Sequence, residues 1–396
     1  MMHKRSGIQN KTFFILLFSI ITTALCVPYL PLNYLKTLYT ISIAIKDIIL
    51  WALPLFICFN IAFMLDSMQK QAALLIVSIC LFEFFSNAFS MLFAYGYAKL
   101  TLISIDKIPA ENCIECLSPY FSLSSSRPEI WSCQNGVLVG LILGLLMAYV
   151  PKLRLDLNLK FLKRKVDFFF SKIITRLIPL FIVGFIANSY HMGVFNNFMI
   201  YGKAIMLAFC GVMIYCFFIF VIGLGTVKNA FNGIKNVMPA FIIAFTSGSS
   251  FATMPTTISC TAKNSKDPKF PEAIIPATTN IQQIGDCLFN AYLIFVLMDT
   301  FGMDPLSFSQ WCYFVFWYVL ARFAMPAMLG AAMFVLYPLY ESILGFSPEM
   351  LAVLLTINVL IDPLITSTNV LSNSGLCVVF ENFWAHIQKL FTTTYS

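Results

Sequence analysis

Residues 244–255 read Ala244-Phe-Thr-Ser-Gly-Ser-Ser-Phe-Ala-Thr-Met-Pro255, inside a stretch, 236–262, that carries no charged residue. Hydroxyls and small residues crowd it: Thr246, Ser247, Gly248, Ser249, Ser250, Ala252 and Thr253. A helix facing lipid is not normally built this way. Non-helical backbone at membrane depth is tolerated only where it is buried in protein or lines a cavity. The stretch is therefore expected to form a re-entrant hairpin over 236–262 with its tip near Ser249–Ser250. A polar helix packed into a bundle through its small residues is the alternative.

The rest of the chain makes a membrane the setting. Of 396 residues, 59% are hydrophobic and only 11% charged, against about a quarter charged in soluble domains. A soluble enzyme, a disordered tail and a secreted disulfide scaffold are excluded, which leaves a polytopic membrane protein. The net charge of +7 marks cytoplasmic loops rather than a nucleic-acid partner. Spans are expected at 12–35, 48–65, 130–151, 177–202 and 204–227, with a further one at 71–98 interrupted by Glu83. Lys4, Arg5 and Lys11 at the N-terminus, and eight basic residues against two acids in 151–176, place both segments in the cytoplasm. The loop 99–129, with four acids against three bases, falls outside. The first segment reads as a retained helix rather than a removed signal peptide. Cys113, Cys116 and Cys133 share the outer loop, where one disulfide is possible. A metal site there is disfavoured, because no histidine lies nearby.

Downstream of the hairpin the same irregularity recurs. Pro276-Ala-Thr-Thr-Asn-Ile-Gln-Gln-Ile-Gly-Asp286 is polar, yet the apolar run Leu288–Met298 follows, so a span that unwinds in its middle is expected. Residues 311–346 form an apolar run too long for one crossing and are broken by Arg322-Phe-Ala-Met-Pro326, which suggests a second hairpin. Residues 350–380 repeat the plan of 273–298, with a polar centre of Asp362, Thr366, Ser367, Thr368, Asn369, Ser372, Asn373 and Ser374. Hairpin, broken helix, hairpin, broken helix is an inverted repeat when an odd number of crossings separates the units. Such interrupted pairs point to the binding site of a secondary transporter.

Four charges lie at expected membrane depth: Glu83, Asp286, Arg322 and Asp362. Each costs about 2.5–3.5 kcal/mol at a helix centre, so each is a candidate functional group. Asp362, among hydroxyls and amides, can bind an ammonium group or a metal ion; a structural hydrogen-bond hub is the alternative. Glu83 and Asp286 can carry function, pair silently with Arg322, or cap a broken helix. His191 reads as interfacial.

The motif at 244–255, the order Pro276…Asn280…Gly285, and Asp362-Pro-Leu-Ile-Thr366-Ser-Thr-Asn369 together resemble the dicarboxylate/amino acid:cation symporter family, that of the glutamate transporters. The resemblance implies an all-α polytopic membrane protein with eight transmembrane helices, two re-entrant helical hairpins and inverted repeats. It implies a homotrimer in which residues 1–235 are mostly scaffold, with helices 3 and 6 joining the transport part. Residues 236–396 are then the transport core, carrying substrate as an elevator. It further implies that Asp362 holds a substrate ammonium, that Asn369 holds the α-carboxylate, that Thr366 lines the pocket, and that Ser249 and Ser250 receive the carboxylate.

Where the chain departs from the family pattern, the departures are informative. Acidic-substrate members carry an arginine three residues after the span 8 aspartate, or one in the hairpin 1 serine motif; here those positions are Ile365 and Gly248. A guanidinium is the natural bidentate partner of a side-chain carboxylate. Its loss favours a neutral amino acid, with Ile365 against the substrate side chain. Arg322 from hairpin 2 is the alternative partner that restores acidic binding. The family's Asn-Met-Asp-Gly reads Gln282-Gln-Ile-Gly285, so its sodium-binding aspartate is Ile284; two more such aspartates are Asn358 and Asn373. Glu83, just before Ser86 and Asn87, replaces a tyrosine beside that site, and Asp286 adds a charge two residues past Ile284. Hard cations accept carbonyl, amide and carboxylate oxygen alike. The cation-binding or proton-carrying set is therefore Glu83, Ser86, Asn87, Thr278, Asn280, Gln282, Asp286, Asn358 and Asn373, with Na+ or H+ as the coupling cation and no other cofactor.

The expected function is cation-coupled symport of an amino acid, neutral by preference, through the cell (inner) membrane. The alternatives are glutamate, aspartate or dicarboxylate symport using Arg322, and a non-transporting or channel-like member. An enzyme is disfavoured: the chain has no His-Glu-x-x-His, no phosphate-binding loop, and no base near Gly248-Ser-Ser.

Overall fold

A computed structural model describes residues 18, 22–23, 25–67, 73–102, 117–121, 128, 130–149, 159–191, 198–323 and 331–393; its described elements are helical. In chain order they are α1 (Leu32–Ser67), α2 (Ala73–Thr101), α3 (Cys133–Tyr149) and α4 (Leu159–Phe168). A π turn, Phe169–Ile174, leads from α4 into α5 (Thr175–His191). Then come α6 (Phe198–Leu224), α7 (Val227–Ser247), α8 (Ser250–Thr261), α9 (Phe270–Thr278), α10 (Ile284–Thr300), α11 (Phe308–Phe323), α12 (Ala331–Leu344) and α13 (Pro348–Thr393). Among the described residues, three helical stretches are long and apolar enough to cross a bilayer: Val77–Thr101, Tyr201–Leu224 and Val353–His386.

Several expected spans are redrawn. The second, 48–65, is part of α1, which runs from Leu32 to Ser67. The expected crossing 177–202 covers the end of α5, described to His191, and the start of α6, described from Phe198; residues 192–197 between them lie outside the described residues. Lys4, Arg5, Lys11, Cys113, Cys116 and Pro326 lie outside the described residues, and with them the disulfide and the tip of the second hairpin.

The first hairpin is present, with a first arm that starts earlier than 236. Its arms are α7 and α8. Two amides join its base: Asn236 Nδ2 donates to Asn264 Oδ1 at 2.8 Å, and Asn264 Nδ2 donates to the Gly233 carbonyl at 3.0 Å. At the tip Gly248 adopts φ +57°, and its N–H closes α7 on the Ala244 carbonyl. A residue with a Cβ is strained in that left-handed region. Ser249 then caps α8, its Oγ accepting the Ala252 N–H at 3.3 Å. Hydroxyls are thus at the tip because one helix must stop and another start within two residues.

The expected unwinding after Pro276 also forms. Helix α9 ends at Thr278, and α10 starts at Ile284. Asn87 of α2 holds the interval by offering a donor and an acceptor: Nδ2 donates to the Ile281 carbonyl at 2.8 Å, and Oδ1 accepts the Gln283 N–H at 3.1 Å. Broken backbone in a dry interior needs such partners.

The second broken helix does not form. Helix α13 runs unbroken from Pro348 to Thr393. Its polar centre bonds its own backbone instead: Ser367 to the Leu364 carbonyl, Thr368 to Leu364 and Ile365, Ser372 to Thr368. Hydroxyls satisfied within a helix do not unwind it. The plan of 273–298 is therefore not repeated at 350–380.

Helix α13 is the spine of the structure. It packs against α5, α6, α7, α8, α9, α10 and α12, and 78% of its long span is buried, against 33% for the span in α6. Helix α10 packs against α2, α6 and α13, while α1 packs mainly on α3 and α5. Arms α11 and α12 pair through Phe314, Tyr318 and Tyr340, with ring centroids 5.7 and 6.3 Å apart.

Candidate functional site

The four structures built from these irregular segments converge. The tip of the first hairpin faces α13: a methyl group on Gly248 would lie 3.9 Å from Asp362 Oδ2. Ser250, Gln282, Asn369 and Asn373 line one narrow cavity with Thr257 and Thr279. It measures about 10 Å³, room for about one water. Asp362, Thr366 and Asn369 follow at i, i+4 and i+7 along α13 and share a face. Thr366 and Asn369 are buried, as is Ile365.

Asn369 is held from both ends. Its Oδ1 accepts the Asp286 N–H at 3.1 Å, and its Nδ2 donates to Gln283 Oε1 at 2.9 Å. Close approach of α10 makes this possible. A Cβ on Gly285 would overlap Thr368 Oγ1 and come within 2.8 Å of Asn369 Oδ1, so this position requires glycine. The amide of Asn369 retains a second N–H for a ligand.

Arg322 and Asp286 form a buried ion pair, Nη2 to Oδ2 at 2.7 Å. The Tyr318 hydroxyl donates to the same Oδ2 at 3.1 Å, and Arg322 Nη2 donates to Gln283 Oε1 at 3.0 Å. This ties α11 to the start of α10. Asp362 lies within electrostatic reach of both partners, but among the described residues its carboxylate makes no hydrogen bond or ion pair. Asp286 is thus neutralised, and Asp362 is the unmatched charge at the hairpin tip.

The expected cation residues fall into two groups. Glu83 Oε2, Ser86 Oγ, Asn280 Oδ1 and Gln282 Oε1 are buried with no hydrogen-bond partner among the described residues. All four belong to α2 or to the interval that Asn87 fixes against it. The others are engaged, and so is the amide nitrogen of Gln282. Thr278 donates to Asn373 Oδ1 at 2.7 Å, Gln282 Nε2 donates to Ser372 Oγ at 2.9 Å, and Asn358 donates to Asn290 Oδ1 at 2.8 Å. Asn87 serves as the clamp.

Sequence reasoning missed Gln283 as the hub between Arg322 and Asn369, and it missed Tyr318 and Asn290. The last two had a readable signal: each lies four residues along a helix from a charge already singled out, Arg322 and Asp286.

A model described as the sodium:dicarboxylate symporter family matches residues 136–383, a stretch holding the first hairpin, the interval 279–283, helices α11 and α12, and the charges Asp286, Arg322 and Asp362. The chain belongs to that family. A comparison with curated proteins returns no match. Symporters of this family move a dicarboxylate or an amino acid together with a cation, so the protein is a membrane transporter and not an enzyme. Glu83, Ser86 and Asn87 precede the matched stretch, and they meet the symporter core through the Asn87 contacts described above.

Proposed function

We propose that the protein is a cation-coupled symporter of a neutral amino acid, importing it through the cell (inner) membrane as a homotrimer whose core moves as an elevator. One observation carries the substrate reading: Arg322 is held by Asp286 at 2.7 Å, whereas Asp362 is unpaired among the described residues. A zwitterion fits this charge pattern. Its ammonium meets Asp362. Its carboxylate meets the free N–H groups at the start of α8, the Ser250 hydroxyl and the remaining Asn369 N–H. Thr366 and Ile365 bound the side chain. A second carboxylate has no unengaged guanidinium to meet.

The orphaned oxygens of Glu83, Ser86, Asn280 and Gln282 fit a hard cation such as sodium, which is content with mixed carboxylate, hydroxyl and amide donors. A cation there supplies the charge that Glu83 lacks. It also steadies the 279–283 interval, which holds Gln283 and through it Asn369. That linkage would couple cation and substrate binding, each favouring the other. A proton on Glu83 is the second reading of the coupling ion, favoured by the absence of a partner for Oε2 among the described residues. The packing of α2 on α10 and of α6 on α10 and α13 supports counting them with the moving core. The basic segment 151–176 supports a cytoplasmic N-terminus.

Binding of each of the twenty amino acids to the purified protein, with and without sodium and at two pH values, tests the proposal. Uptake into proteoliposomes under imposed sodium or proton gradients follows. A neutral amino acid that accumulates under one gradient is the expected result. Accumulation of none of the twenty under either gradient would remove the proposal, and steady conductance without accumulation would favour a channel-like protein.

A further inference from the structure

Arg322 is buried close to the ligand-bearing face of α13. Its Nη2 and the Asn369 Nδ2 both donate to a single oxygen, Gln283 Oε1, at 3.0 and 2.9 Å. A guanidinium so placed is within reach of an anionic group on a ligand seated at Asn369. What keeps it from acting is Asp286. The carboxylate Oδ2 sits 2.7 Å from Nη2, is steadied by the Tyr318 hydroxyl at 3.1 Å, and is itself buried. The Asp286 N–H is bonded to Asn369 as well, so the carboxylate is anchored to the same site residue that the ligand would use.

We propose that Asp286 is the residue that sets substrate charge: it occupies Arg322 as an internal carboxylate and thereby excludes a substrate that carries a second one. The inference rests on the amino-acid reading of this site. An acidic side chain entering the wild-type pocket would set two carboxylates against one guanidinium in a desolvated setting, where like charges repel strongly. With Asp286 neutral, the same buried guanidinium loses the carboxylate that stands 2.7 Å from Nη2. The substrate's own carboxylate then becomes its best partner. Asp286 acts through Arg322 and is a positioning residue; Arg322 is the latent ligand.

The Asp286→Asn substitution preserves shape and can keep the Tyr318 hydrogen bond. Binding of labelled L-aspartate and succinate, and of the best neutral amino acid from the screen, is measured on the wild type, Asp286→Asn, and the double variant Asp286→Asn/Arg322→Gln. Thermal shift in nanodiscs reports ligand binding independently of transport. Asp286→Asn is expected to raise the ratio of acidic to neutral affinity by about tenfold to a hundredfold, the range of a charge-assisted hydrogen bond, and the double variant is expected to lose that gain. A folded Asp286→Asn that binds acids no better than the wild type overturns the inference, as does a gain that survives removal of Arg322. Asp286→Ser repeats the measurement if the Asn variant does not fold. Should neither fold, the wild type decides: acid binding within tenfold of the best neutral amino acid overturns the inference, and exclusion of both acids supports it. A wild type that binds neutral amino acids beside a mutant without gain removes this inference alone. A wild type that binds no amino acid removes the function reading too.

Discussion

Asn369 of α13 accepts the backbone N–H of Asp286 at 3.1 Å, so a site residue on one helix caps the first turn of another. The first N–H groups of a helix have no partner within it, and an amide oxygen is a strong cap. The proposed binding role and the architecture therefore meet at one side chain, and the two can be separated by substitution.

Asn369→Asp keeps an acceptor for the Asp286 N–H but removes the donor and adds a negative charge beside the proposed carboxylate site. Thermal stability is expected to fall, because a buried carboxylate oxygen then faces Gln283 Oε1 where an N–H donated, and amino-acid binding is lost. Asn369→Ala removes the cap too and should lower stability by about 1 kcal/mol. Paired melting and binding curves distinguish the two effects.

Asp362 makes no hydrogen bond among the described residues, so the fold does not depend on its charge. Asp362→Asn is expected to leave the melting temperature unchanged or raise it, and to weaken amino-acid binding by about a hundredfold, as the loss of a hydrogen bond between charged groups implies. A large drop in stability with intact binding would make Asp362 a structural residue.

The Arg322–Asp286 pair should behave as a unit. Removing either charge alone leaves the other buried and is expected to cost about 3–5 kcal/mol, whereas Asp286→Asn/Arg322→Gln together should cost much less. A double-mutant cycle on thermal or denaturant unfolding measures the coupling. Additive losses would mean that the pair is weaker than its 2.7 Å separation suggests.

Asn87 supplies both hydrogen bonds that hold the interval 279–283 against α2. Asn87→Leu fills the space but strands the Ile281 carbonyl and the Gln283 N–H, at about 1–3 kcal/mol each. Hydrogen exchange is expected to accelerate at Ile281–Gln283 and not in α13. Asn87→Asp, which keeps the acceptor, should fall between the two.

Glu83→Gln removes a buried carboxylate that has no partner among the described residues. Stability is expected to hold or rise, since an unpaired charge no longer needs desolvation. The dependence of amino-acid binding on sodium or on pH should shrink in the same variant. Titration of binding against both ions identifies which one Glu83 serves.

Much of this was legible in the chain. The apolar composition forced a membrane setting. The hydroxyl cluster at 246–253 pointed to a hairpin tip, with a polar helix packed in a bundle as the alternative. The polar run before Leu288 announced the interval 279–283. The same reasoning failed at 350–380. There an equally polar centre stays helical, because Ser367, Thr368 and Ser372 reach back one turn to carbonyls of their own helix. Nothing in the local pattern separates hydroxyls that bond their own helix from amides that bond a neighbour.

The sequence by itself determined the helical class, the first hairpin, the broken helix near residue 280, and the short list of charges that cannot face lipid. These follow from local chemistry: hydropathy, periodicity, and the demand that buried backbone be bonded. The tertiary structure alone decided which charges neutralise one another. Asp286, Arg322 and Asp362 are equally conspicuous in the chain, 36 and 40 residues apart. Only the packing of α11 against α10 hands Arg322 to Asp286 and leaves Asp362 open at the hairpin tip. Electrostatic pairing depends on distances of a few ångströms, and separation along the chain carries no information about those.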